Sequence, residues 1–337
     1  MVLSITVRPL RLPDDYEAIA KLVNTYWSEP VDAAKLEEDD RKLYTVGRTF
    51  IDENGLLGGY DRLRLAAVTD QDEVIGYLWT WRAPWTEPGN LNHTLVVDPS
   101  FRSQGAGRRL FEQAVSWAAA LGTSRIVTEV WDDDPASQHF AETNGFVVER
   151  HSYQSVLPLA GRDDLGTVGG NIFAQLENEG IRFTTLADEG EEAGELKLYE
   201  LYKETLVDIP GFTGEVPVIS EWRKWYLMAN GYSPDQVLIA AAGDRYVGVT
   251  NVLHNAKTNG MYHEYTGVSR DYRRRSIGLA LKIKAIELAI AHKAAYIRTD
   301  NDSTNVPILT INRKLGYQPR RGSYRMVMEM TDVPAQS

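Results

Sequence analysis

The 337-residue sequence contains no cysteine, which excludes disulfides, thiolate metal sites and any covalent mechanism through a cysteine nucleophile. It is also short of positive charge. Lys and Arg total 36 against 47 Asp and Glu, a formal net charge of −11, so a general nucleic-acid-coating surface is not expected. No long apolar run follows Arg8 and Arg11, so neither a signal peptide nor a membrane-spanning helix is expected, and a cytoplasmic address fits. What is present, 43% hydrophobic, 10% aromatic and 25% charged residues, is the balance of a soluble globular protein, and the length points to two domains.

The two domains are copies of one plan. A strand-like run, Leu91 to Val97, leads through Asp98–Gly107 into a helical pattern ending near Leu121. Met261 to Val268, Ser269 to Gly278 and a helical pattern ending near His292 repeat that order. Val97 and Val268, Phe101-Arg102 and Tyr272-Arg273, Gly107 and Gly278, and Gly145 and Gly316 all stand 171 positions apart. An offset of this length marks a domain duplication rather than a solenoid repeat. Each half reads as an opening strand (Ile5–Arg8; Ile181–Thr184) and helical stretches (Asp15–Tyr26; Glu195–Val207, with Trp222–Ala229 helical again). A hairpin follows (Arg64–Thr69 to Val74–Trp81; Val237–Ala242 to Tyr246–Leu253), then the strand-to-helix unit and a short strand (Arg125–Val130; Ala295–Thr299). This is an α+β class. Leu159 to Gly170 carries four glycines among polar residues and reads as a linker. The expected division is 1–157, a linker at 158–175, and 176–337.

The loop of the first half, Arg102, Ser103, Gln104, Gly105, Ala106 and Gly107, lies between a strand and a helix, with Arg108 and Arg109 just inside. Closely spaced glycines let backbone N–H groups approach an anion, and the helix N-terminus adds partial positive charge. A nucleotide triphosphatase is disfavoured by the absence of a Gly-Lys-Ser/Thr ending. A dinucleotide fold is disfavoured by the missing third glycine. A glycine pair alone is as readily a tight turn, but here it occurs in a duplicated setting.

These residues resemble the signature of the GNAT superfamily of N-acetyltransferases: Arg or Gln, two residues, Gly, one residue, Gly or Ala. The second half, in register, reads Arg273, Arg274, Arg275, Ser276, Ile277, Gly278, with Ser276 in place of the first glycine. The resemblance implies two tandem GNAT-like domains, each a twisted mixed β-sheet flanked by helices. It also implies acetyl-CoA as co-substrate, its pyrophosphate on these loops and its pantetheine arm between two splayed strands. Asn305, with Asp134 as its counterpart, stands where the family holds the pantetheine amide. The family's tyrosine acid is missing, replaced by Ala141 and Asn312.

Moving an acetyl group to an amine needs a base for the amine and a donor for the oxyanion. The resemblance implies a base on the strand that precedes the loop; by strand alternation Tyr262, Glu264, Thr266 and Val268 share one face, as do Leu91, His93, Leu95 and Val97, so Glu264 and His93 take equivalent positions there and are the candidate bases. An exposed polar residue on a strand is the ordinary alternative. Backbone N–H groups near Val97 or Val268 are the expected oxyanion donors. Resemblance to tandem members points to the second half as catalytic. The expected acceptor is a small primary amine, attacked directly because no cysteine exists to relay the acetyl group, with no nucleic-acid or membrane partner. A protein or peptide acceptor, or a catalytically silent acyl-CoA-binding module, remain the alternatives. Trp79, Trp81, Trp85 and Tyr60 cluster in the first half and read as packing more readily than as a stacking wall or cation cage. Asp132–Asp134 reads as a solvated loop rather than a metal site.

Overall fold

The computed structural model describes residues 4–162, 170–210, 212 and 214–330. The chain forms two compact units, Met1–Arg150 with Ser323–Ser337, and His151–Gly322.

The first unit contains β1 (Thr6–Pro9), α1 (Tyr16–Val23), α2 (Ala33–Asp40), β2 (Arg48–Ile51), β3 (Leu57–Val68), β4 (Val74–Arg82), β5 (Asn90–Val97), α3 (Ala106–Ala120), β6 (Arg125–Trp131) and α4 (Pro135–Thr143). Its sheet runs β1-β3-β4-β5-β6 and continues into the end of β13 (Gln318–Glu329), with β2 beside β3. Every pairing is antiparallel except β5 with β6. Alternation sends Leu78 of β4 and Leu91 and Val97 of β5 beneath α3, and a bulge that leaves Ile75 without a rung turns it to the same side; Leu110, Phe111, Ala114, Val115 and Ala118 of α3 form one apolar stripe. Tyr77 and Val96 point the other way and pack under α1 and α2.

The second unit repeats this plan with α5 (Ile172–Asn178), β8 (Ile181–Thr185), α6 (Leu186–Glu189), α7 (Glu191–Leu206), α8 (Ile219–Trp222), β9 (Val237–Ala242), β10 (Arg245–Asn255), β11 (Gly260–Val268), α9 (Ile277–Ala291), β12 (Tyr296–Asp302) and α10 (Val306–Lys314). Its sheet order is β8-β9-β10-β11-β12, followed by His151–Pro158 of β7 (Val147–Pro158). β11 and β12 are the parallel pair. The expected helix over Trp222–Ala229 is instead α8 followed by one π-helical stretch, Arg223–Leu227.

The division differs from the sequential cut at 157 and 176. Residues 152–158 of β7 pair with β12 of the second unit, while Ser323–Glu329 pair with β6 of the first. Each unit is therefore closed by a strand from the other half of the sequence. Of the expected linker, 163–169 lie outside the described residues, Leu159 is buried in the second unit's core, and Ile172 already opens α5.

Candidate active site

In both units the parallel strands part company. β5 and β6 pair only from Asn90–Arg125 to His93–Thr128, and β11 and β12 only from Gly260–Tyr296 to Tyr262–Arg298. Beyond those rungs the facing edges have no ladder partner, so backbone N–H and C=O groups border a slot between strands. Each slot ends at the loop that opens the following helix.

The two loops share one backbone conformation. Ser103 and Gly105 have φ of 61° and 91°, and Arg274 and Ser276 have φ of 63° and 66°. Ser276 thus holds the left-handed geometry that glycine adopts without strain, at a modest cost. A Cβ on Gly105 would meet nothing within 4 Å, so a phosphate has room beside it. Ala106 and Ile277 point into the core, leaving their backbone N–H groups as what they offer a ligand. Gly107 and Gly278 lie against Val97 and Val268, the strand-end residues of each slot, where an added Cβ would be 3.6 Å away. The conformation therefore fits pyrophosphate in both units.

Their electrostatics differ. Arg102 approaches Asp134 at 3.5 Å, Gln104 donates to the Ser100 carbonyl, and Arg108 pairs with Glu112 at 2.9 Å. In the second loop Arg273 and Arg270 both bind Asp208, and Arg275 binds Glu179 while lying 5.2 Å over the Tyr272 ring. The hydrogen bond from Arg270, joined by that from Arg273, holds the Asp208 carboxyl well below its ordinary range.

The equivalence of Glu264 and His93 does not hold, because β11 is bulged. Asn251 pairs with Tyr265 and Val252 with His263, so Glu264 is the extra residue with no rung of its own. Counted along the ladder, Thr80 opposite His93 corresponds to Val252 opposite His263. The offset is 170 up to the bulge and 171 after it.

His93 lies beneath α3, with Thr80 Oγ1 2.9 Å from Nδ1 and the rings of Phe111 and Phe146 beside it; burial brings its pKa down to about 4. His263 is likewise buried, 2.9 Å from the Tyr317 hydroxyl, and burial beside Lys282 keeps it neutral. Glu264 instead turns outward at the splay. The residue is exposed, yet protein packed close to its carboxylate partly desolvates it and raises it above the ordinary range; Asp300 raises it further and Arg298 opposes. Tyr202, Tyr226 and Tyr262 all lie within reach of its charge.

Asn305 and Asp134 are helix N-caps. The Asn305 side chain accepts from the Ile308 N–H at 3.5 Å, and Asp134 accepts from the Ser137 N–H at 3.0 Å. At the vacant acid positions, Ala141 is core and Asn312 is buried, donating to Asn301 at 2.7 Å. Two acids escaped the sequence reading. Glu129 on β6 and Asp300 on β12, themselves 171 apart, border the two slots, and burial raises the Glu129 carboxyl. Their shared register was the available signal. Among the described residues no group of three or more His, Asp and Glu is arranged to hold a metal, and no helix is long and apolar enough to cross a membrane.

The sequence profile of the acetyltransferase (GNAT) family matches residues 17–146 and 196–317. No curated protein sequence matches the chain. Among solved structures, a tandem GNAT protein from the clavulanic acid biosynthesis pathway is similar over 99% of this chain and 100% of its own, at 17% identity and a TM-score of 0.72. A GCN5-related N-acetyltransferase from Sphaerobacter thermophilus aligns over 97% and 96% at 16% identity, TM-score 0.68. A glucosamine N-acetyltransferase region of a fungal multi-domain GH3 β-N-acetylglucosaminidase aligns over 96% of this chain and 38% of that one, at 15% identity and a TM-score of 0.70. At these identities the likeness speaks for the fold alone.

Proposed function

Since the chain belongs to the acetyltransferase (GNAT) family, we propose that its second unit transfers the acetyl group of acetyl-CoA to a primary amine of a small molecule by direct attack, with Glu264 as general base. The observation that carries this reading is the bulge, which turns a carboxylate of raised pKa outward at the splay.

Acetyl-CoA supplies the acetyl group as a thioester, whose thiolate is a tolerable leaving group because a thiol pKa is about 8.5. The backbone of Arg273–Gly278 offers N–H groups to the pyrophosphate, with Arg273 and Arg275 exchanging their carboxylate partners for it. The Glu264 carboxylate accepts the proton from the attacking amine as the C–N bond forms. Unpaired N–H groups along the β11 edge toward Val268 receive the developing oxyanion. The C–S bond then breaks, and solvent protonates the thiolate, since Asn312 occupies the tyrosine position. The first unit, with the more open loop and His93 beneath a helix, binds acetyl-CoA without a part in this chemistry.

Release of CoA thiol over a panel of small primary amines tests the reading. Glu264→Gln lowers kcat by about a hundredfold and leaves acetyl-CoA affinity unchanged. The carboxylate works only when deprotonated and its pKa is raised. The wild-type rate therefore falls on the acid side at a higher pH than an ordinary glutamate gives, and the variant lacks that limb. An unchanged kcat removes Glu264 as base. Tight acetyl-CoA binding with no release to any amine or peptide makes the protein a silent binding module instead.

A further inference from the structure

The first unit carries a second built surface, on the sheet face turned away from α3. In the ladder Arg62 stands opposite Trp81 and Trp81 opposite Asn92, Arg64 opposite Trp79, and Arg48 opposite Tyr60. Directly opposed residues project to the same side. Three arginines and three aromatic rings therefore share one face of a chain whose net charge is −11. Trp79 and Trp81 lie 5.6 Å apart, and Tyr44 crosses above, 4.7 Å from Tyr60 and 6.0 Å from Trp85. Trp81, Tyr60, Trp85 and Tyr44 are all half-buried, so these rings are not sealed in the core.

The arginines are not in the same situation. Arg64 is ion-paired with Asp40, which also accepts from the Tyr16 hydroxyl, and its guanidinium lies 5.7 Å over Trp79. The cation position against Trp79 is thus filled from within. Arg62 is half-buried, and its guanidinium bonds the Tyr44 carbonyl and forms no ion pair with a carboxylate among the described residues, although the charges of Asp40 and Asp61 act on it. The Asp61 carboxylate is engaged by the Arg62 backbone N–H instead. Burial, and then Arg64 beside it, pushes the Arg62 pKa down, and the opposing charges of Asp40 and Asp61 do not offset this.

We propose that this face is a binding site for a planar organic anion, a carboxylate on an aromatic or conjugated ring, with Arg62 as its counter-ion and Trp81 as its stacking floor. Arg62 presents a fork of N–H donors suited to a carboxylate, and flat rings favour a flat partner. An amine is the wrong ligand here, because Arg62, which forms no ion pair among the described residues, would repel it. The site is separate from Glu264 and does not depend on the acyl-transfer reading.

Calorimetric titration of the full-length protein with 2-naphthoate and with 2-naphthylmethylamine tests the proposal, since the probes share a ring and differ in charge. The expected result is saturable naphthoate binding, at least tenfold tighter than the amine. Arg62→Met and Trp81→Leu each weaken it tenfold or more, and Glu264→Gln leaves it unchanged. In wild-type protein, naphthoate also shifts the Trp81 indole N–H resonance, a readout that needs no core variant to fold. Equal or tighter binding of the amine, an unmoved Trp81 resonance, or undiminished affinity in both variants overturns it.

Discussion

Lys282 shows how much one side chain differs between the halves. It is 1% exposed on α9, at the position Phe111 holds on α3, and its ammonium lies 5.2 Å over the Tyr317 ring. Burial brings its pKa from 10.5 down to about 7. Between pH 7 and about 10.4 the unfolded chain holds this proton more firmly than the folded one, so stability rises with pH across that window. Below pH 7 the full cost of the buried charge stands. Lys282→Met is therefore expected to stabilise the protein at pH 6 by on the order of 3 kcal/mol, with the gain fading toward pH 10. Urea unfolding at the two pH values checks this, and a gain that does not change with pH would put the cost in shape rather than charge. The position was not legible in the sequence. The helix Ile277–Ala291 is apolar on every side, so periodicity leaves the direction of Lys282 open. Glu264 was legible as a candidate but not as a bulge residue, because an inserted residue changes a strand's register without changing its composition.

At the scale of elements, the strand-loop-helix units were the most legible part of the chain, since a left-handed turn, a close approach and a helix start restrict residue choice over six consecutive positions. The reading of Ser276 as a workable substitute for glycine rests on the same backbone, with Ser276 at φ 66° where Gly105 has 91°. What spacing did not reveal is that Arg270 and Arg273 are already partnered by Asp208 on the segment after α7, far away in sequence. A phosphate entering the second loop competes with that carboxylate, so Asp208→Asn is expected to lower the KM for acetyl-CoA about three- to tenfold with little change in kcat. A raised KM would mean that Asp208 acts by holding the arginines in place. Asn305 teaches the converse. Its position in the family pattern was legible, whereas its use as the cap of α10 emerges only once the helix start is known.

At the scale of the whole molecule the 171-residue offset revealed two similar units but not which strand closes which. β7 and β13 each follow a short helix and a glycine turn, each spans twelve residues, and both mix polar with apolar positions, so local pattern is indifferent to the exchange. The cores decide it. Leu157, 2% exposed, packs in the second unit's core with Met261, Ile283 and Ile297, and Met326, 0% exposed, packs in the first unit's core with Phe111, Ile126 and Phe146. Truncating either to alanine removes buried volume worth about 2–5 kcal/mol. Met326→Ala is expected to speed hydrogen exchange first in peptides from α3 and β6, and Leu157→Ala first in peptides from α9, β11 and β12. Two sequentially folded domains would give the opposite pairing of variant and peptide, so exchange mass spectrometry on these two variants distinguishes the arrangements. Because each half of the sequence completes the other's core, neither unit can lose its partner half without losing a strand. Fluorescence reports chiefly on the first unit, which holds Trp27, Trp79, Trp81, Trp85, Trp117 and Trp131, while Trp222 and Trp225 lie in the second. Met326→Ala should therefore move the fluorescence-detected urea midpoint even though its codon lies in the second half of the gene, and a midpoint that moves with Leu157→Ala alone would rule the exchange out.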